Sequence, residues 1–127
     1  MDLSEKEIHV SNAEWVIIKA LWRKSPIALK DITIEAQKNN DWTTNTIRTL
    51  LVRLIEKGAV VADKTSGNFK YSPVIEEEKQ LKNEACAFVD RVFNGSVTAC
   101  VKALSLSGRI SLQDSEDIRN VLSVIKR

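Results

Sequence analysis

The stretch DWTTNTIRTLLVRLIEKG, residues 41–58, decides how this chain folds. Its apolar residues recur at i, i+3, i+4, i+7 and i+8, the spacing of one helix with a single buried stripe. They are Ile47, Leu50, Leu51, Leu54 and Ile55. The opposite face carries amide, hydroxyl and guanidinium groups, with no carboxylate before Glu56. Such a face suits a DNA groove, because phosphates repel carboxylates; the alternative is that it only keeps a surface helix soluble.

Composition favours an ordinary soluble protein. The chain has 127 residues, 43% hydrophobic and 28% charged, with a formal net charge of +2. These values suit one domain, or a small domain with an appended arm, and the net charge alone does not indicate nucleic-acid binding. Residues 42–72 carry five basic and two acidic side chains, whereas residues 76–127 are neutral. Any electrostatic footprint for DNA therefore lies in the first two-thirds of the chain.

The sequence contains few residues that could form a catalytic or metal-binding site. Cys86 and Cys100 lie on separate apolar segments, which favours buried free thiols in a reducing compartment, and His9 is the only histidine. We therefore expect no metal site, no cofactor and no His-based catalytic triad. Paired carboxylates, a Gly-rich phosphate loop and a nucleophile–base set are all missing from the sequence, so an enzyme is not expected. Since no signal peptide or membrane-spanning run is found, the predicted location is cytoplasmic.

The elements around the opening stretch predict a fold class. Residues 1–10 are expected to be a flexible N-terminus, and Ser11 with Glu14 matches a capping box at the start of a first helix. That helix places Trp15 and Trp22 at helical spacing, which is typical of core residues, and it ends at Ser25-Pro26.

Two further helices and a β-hairpin follow. A second helix is predicted over 29–38, the third over 43–57, and two strands over 60–64 and 68–72 joined by a turn at 65–67. This order is that of a winged helix-turn-helix. The predicted fold is therefore mainly α with a small β-hairpin, with a DNA-binding domain over 11–73 whose wing spans 60–72.

Residues 74–127 read as a helical dimerisation domain. Helices are predicted over 76–93, after Ser96 and after Ser111, each with a narrow apolar stripe. So few residues cannot easily bury these stripes within one chain, and pairing with a second chain would do so. Folding back onto the winged domain is the alternative. The predicted dimerisation residues are Leu81, Ala85, Phe88, Val92, Val97, Val101, Leu104, Ile118, Leu122 and Ile125.

Several segments together resemble the penicillinase repressors, a family that includes the β-lactamase and methicillin-resistance repressors and has copper-responsive relatives. The similarity runs from about Val10 to the C-terminus at matching spacing. The segments are SNAEW at 11–15, LW at 21–22, DWTTNTIRTL at 41–50, RL at 53–54, KG at 57–58 and FNGS at 93–96.

The resemblance implies a homodimer that binds a two-fold symmetric operator in double-stranded DNA and represses a resistance or stress-response operon. It also implies that the third helix enters the major groove and that the wing touches the DNA backbone. The candidate DNA-binding residues are Thr43, Thr44, Asn45, Thr46, Arg48, Thr49, Arg53, Lys64 and Lys70. The two lysines suit phosphates, while which arginine reads a base stays open. Tyr71 suits either a DNA backbone contact or the core.

The chain departs from the family pattern in two places. Copper-responsive members carry closely spaced cysteines near the C-terminus, and SVIKR at 123–127 has none, so copper sensing is not expected. In antibiotic-responsive members a membrane sensor-transducer protease acts, directly or indirectly, and an Asn–Phe bond is cut. The matching bond here is Ala103–Leu104, which puts proteolytic induction in doubt. The rival functions are a winged helix that binds protein and a redox- or metal-sensing repressor that uses Cys86 and Cys100.

Overall fold

The computed structural model describes residues 7–65 and 67–125 of the chain. Within these residues, six helices and one two-stranded antiparallel sheet follow in the predicted order. The elements are α1 Asn12–Arg23, α2 Leu29–Gln37, α3 Thr44–Glu56, β1 Val60–Asp63, β2 Lys70–Pro73, α4 Glu77–Phe93, α5 Val97–Leu106 and α6 Leu112–Leu122. The predicted fold class, mainly helical with a small hairpin, is confirmed.

The apolar stripe of α3 lies at the centre of the core. Ile47, Leu50, Leu51 and Leu54 are buried, and Ile55 packs against them half-buried. α1 supplies its own buried stripe and α2 adds two buried residues. Trp15 and Trp22 pack against this core edge-to-face, with ring centroids 5.7 Å apart. The tryptophans of α1 therefore stabilise the fold, as their spacing predicts.

The described residues divide into two compact units, and the division falls between Leu81 and Lys82, within α4. The first unit thus extends beyond Pro73, where the sequence places the domain boundary. Two long-range hydrogen bonds explain why: Trp22 Nε1 donates to the Ile75 carbonyl at 3.0 Å, and Gln80 Nε2 donates to the Ile8 carbonyl at 2.9 Å.

The N-terminal segment is more ordered than the predicted flexible stretch of 1–10. Residues 1–6 lie outside the described residues, but Val10 is only 2% exposed and Ile8 packs against the core. The segment is mostly polar in sequence, so the burial of these two apolar side chains was not predicted. For residues 8–10 the prediction of flexibility is therefore corrected.

The strands of the wing are shorter than predicted, and the connection between them is longer. Asp63 pairs with Lys70, so β2 begins at Lys70 instead of residue 68, and residues 64–69 form the connection between the strands. Ser66, in the middle of the predicted turn, lies outside the described residues, while Gly67 has φ +81°, which glycine adopts without strain. The Asp63 carboxylate accepts hydrogen bonds from the amide and hydroxyl of Thr65 and thereby closes the first part of the connection.

A short main-chain bridge joins the hairpin to the helices. The Ile27 amide donates to the Tyr71 carbonyl at 3.1 Å, and the Tyr71 amide donates to the Ile27 carbonyl at 2.8 Å. This single antiparallel bridge fixes the segment between α1 and α2 beside β2. Because Tyr71 is also buried in the core, its core role is the one the structure supports.

The second unit consists of the rest of α4 with α5 and α6. Ser96 and Ser111 cap the last two helices, and Ser111 forms the predicted capping box with Asp114. None of the residues of α5 or α6 is buried. Cys86 is exposed and Cys100 half-buried, so the prediction of buried thiols is wrong for a single chain, because this unit buries so little. Among the residues that the structure describes, no helix is both long and apolar enough to span a bilayer.

Candidate nucleic-acid interface

The first turn of α3 presents hydroxyl and amide groups to solvent. Thr43 caps the helix: its Oγ1 accepts a hydrogen bond from the Thr46 amide at 3.1 Å and donates one to Thr46 Oγ1 at 3.2 Å. Thr44 and Asn45 are exposed beside them. The first turn contains no acidic residue, so the partial positive charge of the helix N-terminus is not neutralised by a side chain. This end of α3 is electrostatically suited to an anion.

The exposed face of α3 continues with two arginines. Arg48 and Arg53 are both exposed, and within the described part of the chain neither forms an ion pair. Thr49 Oγ1 donates to the Asn45 carbonyl at 3.0 Å. The methyl group of Thr49 is then the part of the side chain that can make an apolar contact with DNA. Two guanidinium forks are therefore available for base edges or phosphates.

A groove of about 570 Å³ lies between α3, the first turn of α2 and β2. Arg48 and Lys70, both predicted to bind DNA, lie together in it. The structure adds Lys30, Val52 and Phe69, which the sequence did not single out. Lys30 could have been found, because it stands in the first turn of the helix that precedes α3 in a helix-turn-helix.

The tip of the wing carries Lys64. Its Nζ lies 5.0 Å from the centroid of the Phe69 ring, a cation–π distance. Beside it, hydrogen bonds from the amide and then the hydroxyl of Thr65 hold the pKa of Asp63 below its ordinary value of 3.8. These bonds hold Thr65, the residue next to Lys64, against the end of β1.

Lys57 does not belong to the interface, although it contributes to the basic charge of residues 42–72. Its Nζ lies 2.5 Å from Glu14 Oε1 and 2.9 Å from the His9 carbonyl. Burial would raise the pKa of Glu14, but hydrogen bonds from Lys57 and Ser11 and the charge of Lys57 outweigh it and hold the pKa below its ordinary value of 4.5. Lys57 is thus an internal partner of a buried carboxylate, which local sequence patterns do not reveal.

The predicted dimerisation residues are all exposed in the single chain. Leu81 belongs to the first unit and the other nine to the second. Large apolar side chains such as Phe88, Val101 and Ile118 are 40–44% exposed, and Val97 reaches 65%. The second unit therefore presents a wide apolar surface, which is a feature of protein–protein interfaces.

The Ala103–Leu104 bond lies inside α5. The Ala103 carbonyl accepts a hydrogen bond from the Ser107 amide at 3.1 Å, and the Leu104 carbonyl accepts one from Ser107 Oγ at 2.6 Å. A protease needs an extended chain, so cleavage here requires that the helix open first.

Three comparisons with known proteins place this chain. The model of the family described as "Penicillinase repressor" matches residues 10–124. The methicillin resistance regulatory protein MecI of Staphylococcus aureus (strain N315) is 29% identical over 121 residues, which cover 95% of this chain and 98% of that protein. The penicillinase repressor of Bacillus licheniformis is 29% identical over 113 residues, covering 89% and 88% of the two chains.

Among solved structures, part of this chain is similar to a protein determined in complex with DNA. The solution structure of the Bacillus licheniformis BlaI monomeric form, in complex with the blaP half-operator, has a TM-score of 0.51 to this chain and 37% sequence identity. It covers 57% of this chain and 89% of that one. The likeness thus extends over about the length of the winged helix.

Proposed function

The chain belongs to the penicillinase repressor family, and from this membership we propose that it is a transcriptional repressor that binds a two-fold symmetric operator as a homodimer. The exposed face of α3 carries this proposal. It offers Asn45, Arg48 and Arg53 opposite an apolar stripe that packs into the core, with no carboxylate before Glu56. Family members are regulators, so no enzymatic activity is proposed. Because its operator is genomic DNA, the repressor acts in the cytoplasm.

Affinity and specificity come from different parts of the interface. Lys64 and Lys70 on the wing, together with Lys30, supply phosphate contacts that position the protein on the duplex. Sequence is read in the major groove by Thr44, Asn45 and Arg48, whose side chains lie on the exposed face of α3. The similarity to a half-operator complex supports this arrangement.

Arg48→Ala is expected to weaken operator binding about 10- to 100-fold, because an arginine that holds guanine O6 and N7 contributes about 1–3 kcal/mol of discrimination. Binding to random duplex of the same length should fall much less. Fluorescence anisotropy at a fixed salt concentration measures both affinities. An equal loss on the two duplexes would make Arg48 a phosphate contact and would contradict the assignment.

Lys64→Ala serves as the matched variant on the wing. A lost phosphate contact lowers affinity for operator and random DNA by the same factor, and it reduces the slope of log K against log salt by about 1. Titrations at several salt concentrations test this pattern. A loss confined to the operator would show that the wing also reads sequence.

Dimerisation follows from the second unit. Burial of its apolar surface stabilises folded chains by about 25 cal/mol per Å² removed from water, and a second copy of the same unit removes that surface in both chains at once. The family membership and the matching length of MecI support self-association through this unit.

Induction by a membrane sensor-transducer protease is a further part of the proposal that the resemblance implies. Cleavage would fall at Ala103–Leu104, and it would follow opening of α5. Mass spectrometry of the repressor from induced cells tests it directly. A fragment ending at Ala103 would support proteolysis, whereas derepression with an intact chain would show that another signal acts.

Footprinting of the purified protein on the promoter upstream of its own gene is the decisive experiment. Two protected segments related by two-fold symmetry, one or more helical turns apart, are expected for a dimer with a recognition helix in each half-site. A single protected segment, or none, would contradict the proposed function. The protected sequence also supplies the operator duplexes for the variants.

A further inference from the structure

Two side-chain donors tie the start of α4 to the rest of the first unit. Trp22 Nε1 donates to the Ile75 carbonyl at 3.0 Å, just before the helix, and Gln80 Nε2 donates to the Ile8 carbonyl at 2.9 Å, within its first turn. Both acceptors are main-chain carbonyls more than 50 residues away in sequence. Neither bond is needed to form α4 itself, so both serve to fix the position of its first turn on the first unit.

Gln80 is an unusual residue at this position because it is only 5% exposed. Burying an amide costs free energy unless it is hydrogen-bonded, and a neutral hydrogen bond contributes only about 0.5–1.5 kcal/mol net. A methionine of similar volume would fill the same space but would leave the Ile8 carbonyl without this donor. What glutamine adds is direction, since its amide is in place only when Ile8 and α4 adopt one relative position.

The first turn of α4 borders an open surface cleft of about 180 Å³. The cleft is lined by Lys19, Trp22, Arg23, Glu77 and Leu81, all within the first unit. Beside this opening, the directed hydrogen bonds of Trp22 and Gln80 restrain the tilt of the helix in addition to its apolar contacts.

The consequence extends along the helix. α4 is continuous from Glu77 to Phe93, a length of about 25 Å at 1.5 Å per residue, so a small tilt at its first turn is amplified at its far end. We propose that Gln80, assisted by Trp22, is a positioning residue that sets the half-site spacing accepted by the dimer. This inference rests on the proposed function, in which residues beyond Leu81 join the two copies.

The test measures binding as a function of half-site spacing. Duplexes carry the footprinted operator with its native spacing, with one or two base pairs inserted between the halves, or with a single half. For the unchanged protein we expect affinity to fall about 100-fold with two inserted base pairs, which rotate one half-site by about 70°. Gln80→Met should bind the operator of native spacing with about tenfold lower affinity. Insertion of two base pairs should lower the affinity of this variant by less than a further tenfold. Its affinity for a single half-site should stay within about twofold of that of the unchanged protein.

Trp22→Phe keeps an aromatic ring but removes the donor, and it should flatten the spacing dependence in the same direction. Lys79→Met is the matched control, because it changes an exposed side chain in the same turn of α4 and should leave the spacing profile unchanged. A Gln80→Met profile as steep as that of the unchanged protein would overturn the inference, and so would loss of single-half binding. If the unchanged protein itself showed no preference for two halves over one, the proposed dimeric repressor would fail instead.

Discussion

Ile118→Glu is expected to convert the proposed dimer into a monomer and to lower the affinity for a duplex with both half-sites by about 100-fold or more. Ile118 lies on the apolar stripe of α6 with Leu122, and Ile125 follows just beyond the end of the helix. All three are exposed in the single chain. A glutamate in the middle of a buried interface would have to be desolvated without a partner cation, which costs more than the apolar contact contributes. Dimerisation should therefore be lost while the first unit stays folded.

The size of the effect comes from linkage between the half-sites. Once one recognition helix is bound, the second site binds at an effective concentration near the millimolar range, and a monomer loses this advantage entirely. Sedimentation equilibrium measures the oligomeric state, and anisotropy measures binding to one and two half-sites. The single half-site affinity should not change, because α3 is not altered.

Asn120→Glu is the control for this substitution. Asn120 is exposed on the same helix but, two residues from Ile118, lies on its polar side with Gln113 and Asp117. It adds the same charge to α6 without removing an apolar side chain, so it should leave the dimer intact. A dimer that survives Ile118→Glu with full operator affinity would show that the copies join elsewhere.

Local patterns predict most of the secondary structure. The apolar stripe of α3 and both capping boxes are short-range features, and the structure confirms them: Ser11 N donates to Glu14 Oε1 at 2.9 Å, and Ser111 N donates to Asp114 Oδ2 at 3.0 Å. The hairpin was predicted as well, although its second strand begins two residues later. These features depend on residues within a few positions of one another, where spacing decides the geometry.

Long-range contacts account for what the sequence did not reveal. Val10 is buried and Gln80 bonds Ile8, yet nothing near either residue in sequence announces the contact. For the interface, the predicted Arg48 and Lys70 do lie in one groove, but Lys30 and Phe69 join them only because α2 and the wing meet there. The predicted burial of Cys86 is wrong for the single chain, in which this side chain is exposed.

The contact between Glu14 and Lys57 is the long-range feature with the largest expected effect on stability. Glu14 is 1% exposed, whereas a third of the Lys57 side chain is in contact with solvent. Lys57→Met would leave a buried carboxylate without its cation, and such a change in a fully buried pair costs about 3–5 kcal/mol. Partial screening at Lys57 reduces the expected loss to about 2–4 kcal/mol.

The dependence of this loss on pH distinguishes the ion pair from simple packing. Burial raises the pKa of Glu14, while Lys57 and Ser11 bring it below its ordinary value of 4.5. The stability that a lowered carboxyl pKa contributes is fully present above that value and is lost as pH falls through the pKa of the folded state. In Lys57→Met the pKa of Glu14 rises because its cation is lost. The difference in free energy of unfolding between the unchanged protein and the variant should therefore be constant near neutral pH. It should become smaller as the pH falls below the raised pKa.

Urea unfolding followed by tryptophan fluorescence measures this gap, because all three tryptophans lie in the first unit. Lys38→Met is the matched control: Lys38 pairs with Glu35 at 2.8 Å on an exposed surface, where solvent screens the pair, and little change is expected. In the Glu14→Gln, Lys57→Met double variant no buried charge remains, so part of the loss should be recovered and its pH dependence should vanish. A gap for Lys57→Met that stayed constant from neutral pH to well below 4.5 would show that Lys57 stabilises the fold through its hydrogen bond to the His9 carbonyl and its packing, and not through the charge of Glu14.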